Sequence, residues 1–276
     1  MPGELASIVL DAPTAVLVSW AGAALLMGAL WLRSLRTSDA GIVDVGWSAG
    51  LGLAAIFHAA VGDGDPLRRA LVGALGALWG FRLALHIAVR SRGHDEDPRY
   101  RVLRERWGAR ADARMLLVFQ AQAVLVALLA LSFLVVARTP RPALGWPEAA
   151  GVALWAIAVG GEWLADRQLA RFKADPGNRG RTCRAGLWRW SRHPNYFFEW
   201  IHWLAYVPLA WGSAWWPLTL LAPALMYVLL TRVTGLPTEE RRSPESRADD
   251  SRRYQRSTHA SLTAPPRPAP AGEAGA

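Results

Sequence analysis

The sequence predicts an all-α, polytopic membrane protein with about seven transmembrane helices. Of its 276 residues, 52% are hydrophobic, and they are concentrated in long runs instead of being spread as in a soluble protein. The clearest run covers residues 115–137, in which Gln120, Gln122 and Ser132 are the only polar breaks. Because roughly 20 apolar residues span the hydrocarbon core of a bilayer, this run predicts a helix that crosses the membrane.

The other apolar runs are of similar length and predict the remaining helices. In chain order, the seven predicted helices cover residues 13–32, 41–61, 70–89, 115–137, 148–170, 195–212 and 215–231. A short break at 212–214 separates the last two. Within the second helix, Gly50, Gly52 and Ala55 match a loose dinucleotide-binding pattern, but that pattern requires a strand before it and a helix after it. We interpret these residues, with Gly76 and Gly80, as small contacts that allow close helix packing.

The basic residues predict the orientation of the chain. The segments 33–40, 90–114 and 171–194 and the tail from 231 carry 25 Lys and Arg in all, whereas the alternate segments 62–69, 138–147 and 212–214 carry 4. The positive-inside rule places the first set in the cytosol, with the N-terminus outside and the C-terminus inside. For a bacterial-type protein this corresponds to the inner (cytoplasmic) membrane.

Charge and cysteine content exclude several classes of protein. The net charge of +9 lies in short loops between membrane spans, which favours anionic membrane lipids or a phosphate-bearing ligand and argues against nucleic acid. Cys183 is the single cysteine, so no disulfide can form within the chain. No Cys/His cluster has the spacing of a zinc site, and we expect no metal.

The apolar runs and the basic segments together divide the chain into three predicted regions. Residues 1–232 form the predicted transmembrane domain. Residues 233–260 form a basic cytosolic tail, which either is a solvated helix or folds back as a lid. Residues 261–276 are rich in Pro and Ala without apolar periodicity, and we expect them to be disordered.

Residues 191–200 form the most informative stretch of the sequence. Ser191, Arg192 and His193 run directly into Pro194, which is favourable at the first position of a helix. The predicted helix then carries Asn195, Glu199, His202 and Tyr206, whose spacings of +4, +7 and +11 lie on one face. Such a polar face in an apolar helix, beside cations, favours an anionic and partly hydrophobic ligand.

Four polar residues nearer the N-terminus are candidates for catalysis. Asp44 lies near the start of the second helix, Arg82 and His86 are an i,i+4 pair in the third, and Tyr100 lies in the basic loop that follows. Charges within a span are costly and usually face a cavity or a partner. Structural roles remain open for each: a helix-start carboxylate, a snorkelling arginine, a packed histidine and a tyrosine of an interfacial helix.

A further set of polar residues precedes residues 191–200. Glu162 and Asp166 lie one turn apart near the cytosolic end of the fifth helix, where carboxylates can bind ribose hydroxyls or pair with arginines. The loop that follows is rich in Arg and Trp. Guanidinium groups and helix N-termini both suit phosphates.

These motifs resemble the C-terminal domain of the steroid 5-alpha-reductase-like superfamily, and most closely its bacterial branch of domains of unknown function. The resemblance covers roughly residues 40–260. The matching motifs are Asp44-Val-Gly-Trp47, Trp79-Gly-Phe-Arg-Leu83, Glu96-Asp-Pro-Arg-Tyr100, Asn178-Arg-Gly180, Gly186-Leu-Trp-Arg189, Ser191-Arg-His-Pro-Asn-Tyr196 with Glu199, Thr234-Gly-Leu-Pro237 and Arg253-Tyr254-Gln255.

The resemblance implies a reductase. Members bind NADPH from the cytosol within a helix bundle and transfer hydride to a carbon–carbon double bond, conjugated to a carbonyl, in a lipid-like substrate. The part of the chain implied to bind the cofactor is about 148–260, with Asn195 beside the nicotinamide. The implied cofactor-binding residues are Glu162, Asp166, Lys173, Asn178, Arg179, Arg184, Ser191, Arg192, His193, Asn195, Tyr196, Glu199 and Tyr254.

The residues available for catalysis differ from those that steroid reductases use. Those enzymes polarise the substrate ketone with a Glu–Tyr pair, and an approximate register places Trp79 at the tyrosine position and Asp44 near the glutamate. Tryptophan cannot act as a general acid. Tyr100, Asp44 or the pair of Arg82 and His86 therefore takes that role, or the substrate is not an enone steroid.

Two alternatives remain open. Isoprenylcysteine and phospholipid methyltransferases share an Arg-His-Pro-x-Tyr turn followed by a glutamate in a membrane helix, and there the ligand is S-adenosylmethionine. A non-enzymatic lipid-binding protein would explain the basic loops, but not Asn195, Glu199 and His202 within a span.

Overall fold

The protein is an all-α polytopic membrane protein, as the apolar runs predict. The structure, a computed structural model, describes residues 9–93, 95–140, 145–233, 254–255 and 258, and within these ranges it has no β-strand. Five described segments are long and apolar enough to cross a membrane: Ala12–Thr37, Ile42–Val61, Pro66–Ser91, Pro98–Ala137 and Trp216–Val233. The count of seven spans and the orientation stay predictions.

Local sequence signals explain where several helices begin. The helices of the described residues are α1 (Ala12–Thr37), α2 (Ile42–Val61), α3 (Pro66–Ser91), α4 (Pro98–Trp107), α5 (Ala111–Ala137), α6 (Trp146–Ala174), α7 (Pro194–Leu204), α8 (Tyr206–Leu209) and α9 (Leu221–Val228). Asp11, Asp65 and Asp97 cap α1, α3 and α4 with their carboxylates, and each of these helices has a proline in its first turn. The carboxylate satisfies amide groups that have no partner within the helix, and proline needs none.

The predicted sixth helix, 195–212, is wrong as a continuous element. α7 ends at Leu204 and the short α8 begins at Tyr206. Pro208 explains the break, because it has no N–H for the carbonyl of Leu204 and its ring clashes with that carbonyl. Tyr206 therefore does not share one regular helical face with Asn195, Glu199 and His202.

The predicted seventh helix, 215–231, is present but irregular. It begins as a 3-10 turn at Trp216–Leu220, continues as α9 and ends as a π-helix at Leu229–Val233. Pro223 lies in the first turn of α9, where its missing N–H is tolerated. Of the predicted tail 233–260, the described residues are Val233, Tyr254, Gln255 and Thr258, and the segment 261–276 lies outside the described residues.

The chain divides into two compact units. The first unit is Met1–Ala149 with Tyr206–Ala222, and the second is Ala150–Ala205 with Pro223–Ala276. In the first unit, small residues bring α2 and α3 close together. A Cβ added to Gly80 would lie 2.7 Å from the carbonyl oxygen of Ser48, and one added to Gly76 would lie 2.4 Å from the Cβ of Ala55. The interpretation of these glycines as packing residues is confirmed.

A buried ion pair joins distant parts of the first unit. Arg68, near the start of α3, is completely buried, and its guanidinium pairs with Glu148 and donates to the carbonyl of Leu209. The second carboxylate oxygen of Glu148 accepts from the amide of Gly145 at 2.8 Å. No local sequence signal indicated this pair, because its members lie 80 positions apart.

In the second unit, α6 packs against α7 through a single glycine. A Cβ on Gly161 would lie 2.3 Å from the ring of Phe198, whereas a Cβ on the neighbouring Gly160 would meet nothing within 4 Å. Further along α7, the indole of Trp200 donates to the carbonyl of Pro223 at 3.1 Å and contacts the ring of Tyr227.

The two adjacent glycines provide a matched test of this packing. We expect Gly161→Ala to lower stability by about 1–3 kcal/mol, because the Phe198 ring must move. Gly160→Ala has space for its methyl group and should be neutral or stabilise by up to about 1 kcal/mol through helix propensity. Thermal unfolding of both variants in detergent measures the difference. Equal effects would contradict the close approach of α6 and α7.

Candidate functional site

The predicted site residues fall into two groups, one in each unit. Asp44, Arg82, His86 and Tyr100 belong to the first unit, and the residues from Glu162 onwards belong to the second.

Two of the four candidate catalytic residues meet in the first unit. The hydroxyl of Tyr100 donates to Oδ1 of Asp44 at 2.9 Å, and Nη2 of Arg99 donates to Oδ2 of the same carboxylate at 2.5 Å. Tyr100 is buried. Arg99 also contacts Asp97, with Nη2 3.1 Å from Oδ2. Asp44 thus lies between a phenol and a guanidinium, each of which donates to one of its carboxylate oxygens.

The start of α4 explains this arrangement. Asp97 caps the helix by accepting from the amide of Arg99 at 2.8 Å, and Pro98 occupies its first turn. The first turn therefore carries Arg99 and Tyr100 together, and the guanidinium lies 5.3 Å from the centre of the tyrosine ring. Both side chains reach Asp44 in the first turn of α2.

The other two candidates make no side-chain hydrogen bond with Asp44. Arg82 and His86 lie one turn apart on α3 and are half-buried, but the side-chain hydrogen bonds of Asp44 are those with Arg99 and Tyr100. Sequence reasoning missed Arg99. The Asp-Pro pair before it is a helix-start signal that could have indicated its position.

In the second unit, the turn before α7 is hydrogen-bonded to α6. Gln168 accepts from the amide of Leu187 at 2.9 Å, and the buried indole of Trp188 donates to the carbonyl of Ala165 at 2.9 Å. Gly186 has a φ of +59°, and a Cβ there would lie 2.4 Å from the Gln168 amide. Glycine is thus required by both its backbone conformation and the close approach.

Tyr254 holds the same turn from the tail. Its ring is buried, and its hydroxyl contacts the carbonyls of Trp188 and of Ser191, the latter at 3.0 Å. Arg184 lies over the ring, 5.5 Å from its centre. Burial, and then the neighbouring Cys183, raise the pKa of Tyr254, so its hydroxyl keeps its proton at neutral pH and can donate.

Arg192 makes a second contact with the tail. Its Nη1 donates to the carbonyl of Gln255 at 2.6 Å, and the amide of Thr258 donates to the carbonyl of Tyr254 at 3.0 Å. Tyr254 and Gln255 therefore lie against the segment that carries the predicted phosphate-binding arginines. This agrees with a tail that folds back, although its role as a lid stays a prediction.

The start of α7 contains an unsatisfied polar atom. Oγ of Ser191 accepts from the amide of His193 at 3.2 Å, and the rings of His193 and Tyr196 stack 5.2 Å apart. The side chain of His193 does not cap the helix. Within the described part of the second unit, Oδ1 of Asn195 is buried and has no hydrogen-bond partner. A buried polar atom without a partner is costly, so this oxygen is a candidate acceptor for a ligand donor.

The remaining predicted residues surround this turn in the chain. Glu162 is buried and Asp166 half-buried, one turn apart on α6, while Lys173, Arg179 and Arg184 are exposed cations. Asn178 donates through Nδ2 to the carbonyl of Phe172 at 3.0 Å, so it terminates α6. Glu199 is buried and accepts from the indole of Trp203 at 3.3 Å.

Gln168, Trp188 and Gln255 were also missed by sequence reasoning. Their roles depend on contacts between residues 19, 23 and 63 positions apart, for which the sequence has no local signal. Over the described ranges, no group of three or more His, Cys, Asp or Glu side chains could hold a metal ion.

Comparison with known proteins identifies one match. A family model described as "Protein of unknown function (DUF1295)" matches residues 30–258, which includes both groups of candidate residues. No curated protein and no solved structure matches the chain.

The contact between Tyr254 and the turn can be measured through the single cysteine. Cys183 is buried, and burial raises the pKa of its thiol, so we expect slow labelling by a maleimide at neutral pH. Tyr254→Ala removes the ring beside it and should increase the labelling rate several-fold.

Tyr227→Ala is the control, because it removes an exposed tyrosine of the same unit and should leave the rate unchanged. Equal labelling of the wild-type protein and Tyr254→Ala would show that the tail does not cover Cys183.

Proposed function

The chain belongs to the DUF1295 family, and from this premise we propose that it is a membrane-embedded, NADPH-dependent reductase. The proposed substrate is hydrophobic, of a steroid-, isoprenoid- or lipid-like class, and carries a carbon–carbon double bond activated by a carbonyl. The proposed location is the cytoplasmic membrane, with the nucleotide entering from the cytosol. The alternation of basic and non-basic loops supports this orientation.

The single observation that carries the proposal is the buried Oδ1 of Asn195, which has no hydrogen-bond partner. A carboxamide such as that of nicotinamide suits this position, because it offers an N–H donor to Oδ1 and an acceptor to the other end of the Asn195 amide. The residues present therefore fit the group. S-Adenosylmethionine also carries N–H donors, on its α-amino group and its adenine, so ligand binding has to separate the two cofactors.

The charges of the second unit fit the rest of a dinucleotide. Lys173, Arg179 and Arg184 present exposed cations, and guanidinium forks match phosphate oxygens. The first turn of α7 adds backbone amides that favour an anion. Glu162 and Asp166 are carboxylates that suit ribose hydroxyls. Hydride donation is the chemistry that NADPH supplies when bound, and the protein contributes binding, orientation and electrostatics.

The Asp44–Tyr100 pair is the proposed carbonyl-polarising group. The Tyr100 hydroxyl donates to Asp44, and in the proposed reaction it exchanges this acceptor for the carbonyl oxygen of the substrate. Arg99 donates to the other carboxylate oxygen of Asp44 at 2.5 Å, which orients the carboxylate. A positioned acid of this kind contributes roughly 10²–10⁴-fold to a rate.

Ligand-induced stabilisation tests the cofactor. A ligand that binds only the folded state raises the unfolding midpoint, so we expect NADPH to stabilise the purified protein and S-adenosylmethionine not to. Asn195→Ala should weaken NADPH binding about tenfold, equivalent to about 1.4 kcal/mol. Gln120→Ala, which removes an amide of the first unit that bonds the carbonyl of Ala24, is the control. A shift with S-adenosylmethionine and none with NADPH would replace the reductase with a methyltransferase.

Turnover tests the polarising group separately. We expect Tyr100→Phe to lower the rate of NADPH oxidation in the presence of α,β-unsaturated ketones about 100-fold or more, while the thermal shift with NADPH stays unchanged. Tyr227→Phe, at an exposed tyrosine, should have no effect on either measurement. An unchanged rate in Tyr100→Phe would assign the Asp44–Tyr100 contact to the packing of α2 and α4 alone.

A further inference from the structure

A surface groove in the first unit runs between α2 and α3, apart from every residue assigned above. It has a volume of about 760 Å³, within the range of small-molecule sites. Small residues, among them Ala59, Gly73 and Ala77, line it, and the larger Ile56 and Leu78 also contribute. Both larger side chains are exposed, Ile56 by 46% and Leu78 by 62%.

The groove exists because the two helices approach each other through small side chains. A Cβ on Gly73 would lie 2.9 Å from the Cβ of Ala59, so no larger residue fits there. Both α2 and α3 are candidate membrane spans. An apolar groove open on the outer face of such helices meets acyl chains and not water.

Arg69 provides a cation within the lining of this groove. Its Nε donates to the carbonyl of Ala59 at 2.8 Å and its Nη2 to that of Ala60 at 3.0 Å. These carbonyls belong to the last turn of α2, which leaves them without helical partners. The two bonds hold the guanidinium in a defined orientation against the groove.

The other edge of the guanidinium remains available. Among the described residues, no carboxylate lies within ion-pair distance of Arg69, and its Nη1 has no hydrogen-bond partner. Its neighbours differ, because Arg68 pairs with Glu148 and Arg138 with Asp63. Arg69 is therefore an oriented, uncompensated cation beside an apolar groove, and the complementary ligand carries an anionic oxygen group on an apolar chain.

We propose that this groove binds one phospholipid, with an acyl chain along α2 and α3 and the phosphate on Arg69. Phosphate oxygens accept from guanidinium N–H groups in well-defined geometry, and the acyl chain covers the small residues. Snorkelling of Arg69 towards any lipid head would need neither the groove nor the two carbonyl contacts. The small-residue lining would also accommodate a helix of a second copy, but that occupant leaves the Arg69 charge unexplained.

Native mass spectrometry of the delipidated protein tests the site. The probes are phosphatidylglycerol, phosphatidylcholine and inorganic phosphate at matched concentrations. We expect one retained phosphatidylglycerol, weaker retention of phosphatidylcholine because its headgroup has no net charge, and no stabilisation by inorganic phosphate. Arg69→Gln should lower the affinity for phosphatidylglycerol about tenfold.

A second variant is needed because Arg69→Gln also removes the two bonds from Arg69 to the carbonyls of α2. Ala74→Phe places a ring in the groove from an exposed lining position and should abolish the retained lipid without touching Arg69. Arg36→Gln, at an exposed arginine in the last turn of α1, is the control and should bind as the wild type does.

Three outcomes would overturn the proposal. Equal lipid retention in the wild type, Arg69→Gln and Ala74→Phe would exclude the groove. If inorganic phosphate stabilised the protein as much as the lipid does, the site would bind an anion and not a phospholipid. Dimer formation on delipidation, abolished by Ala74→Phe, would assign the groove to a second copy of the chain.

Discussion

The first unit depends on the burial of one positive charge. The completely buried Arg68 pairs with Glu148, 80 positions away, and donates to the carbonyl of Leu209, 141 positions away. Removing each charge from water costs several kcal/mol, and a charge within a membrane protein is tolerated only with a partner. The three segments must therefore meet for the unit to form. Gly145 completes the arrangement by donating to the second oxygen of Glu148.

A different constraint acts on the second unit. It contains a stretch without regular helix, whose backbone amides and carbonyls need hydrogen-bond partners from elsewhere. Between α6 and α7 the chain turns through residues 175–193, and its amides and carbonyls need partners. The side chains of Gln168 and Tyr254 supply several of them, and the Trp188 indole links the turn to the carbonyl of Ala165 in α6. Arg192 then bonds the carbonyl of Gln255. The same contacts position the start of α7, where Asn195 keeps a buried oxygen without a partner, so the proposed nucleotide site is a consequence of how the turn is held.

Much of the architecture could be predicted because the signals are local. Long apolar runs predict helices through bilayer thickness alone. The Asp-Pro pairs at 65–66 and 97–98 mark the starts of α3 and α4, although the apolar run alone predicts the start of α3 at residue 70. The close packing at Gly76 and Gly80 follows from their missing side chains. The break at Ala205 was missed although Pro208 was visible, because the apolar run continues through it. Asp44 and Tyr100 were named as separate candidates, and no pattern of spacing joined them.

The order of the helices, their membrane character and the types of residue available for chemistry were already contained in the sequence, since each depends on neighbours within a few turns. The tertiary structure decided which of those residues meet. It paired Asp44 with Tyr100 and Arg99, buried Arg68 against Glu148, and placed Tyr254 on the carbonyls of Trp188 and Ser191. Contacts between residues 50 to 80 positions apart depend on how whole helices pack, and helix packing is set by the sum of many weak contacts that leaves no periodic trace along the chain.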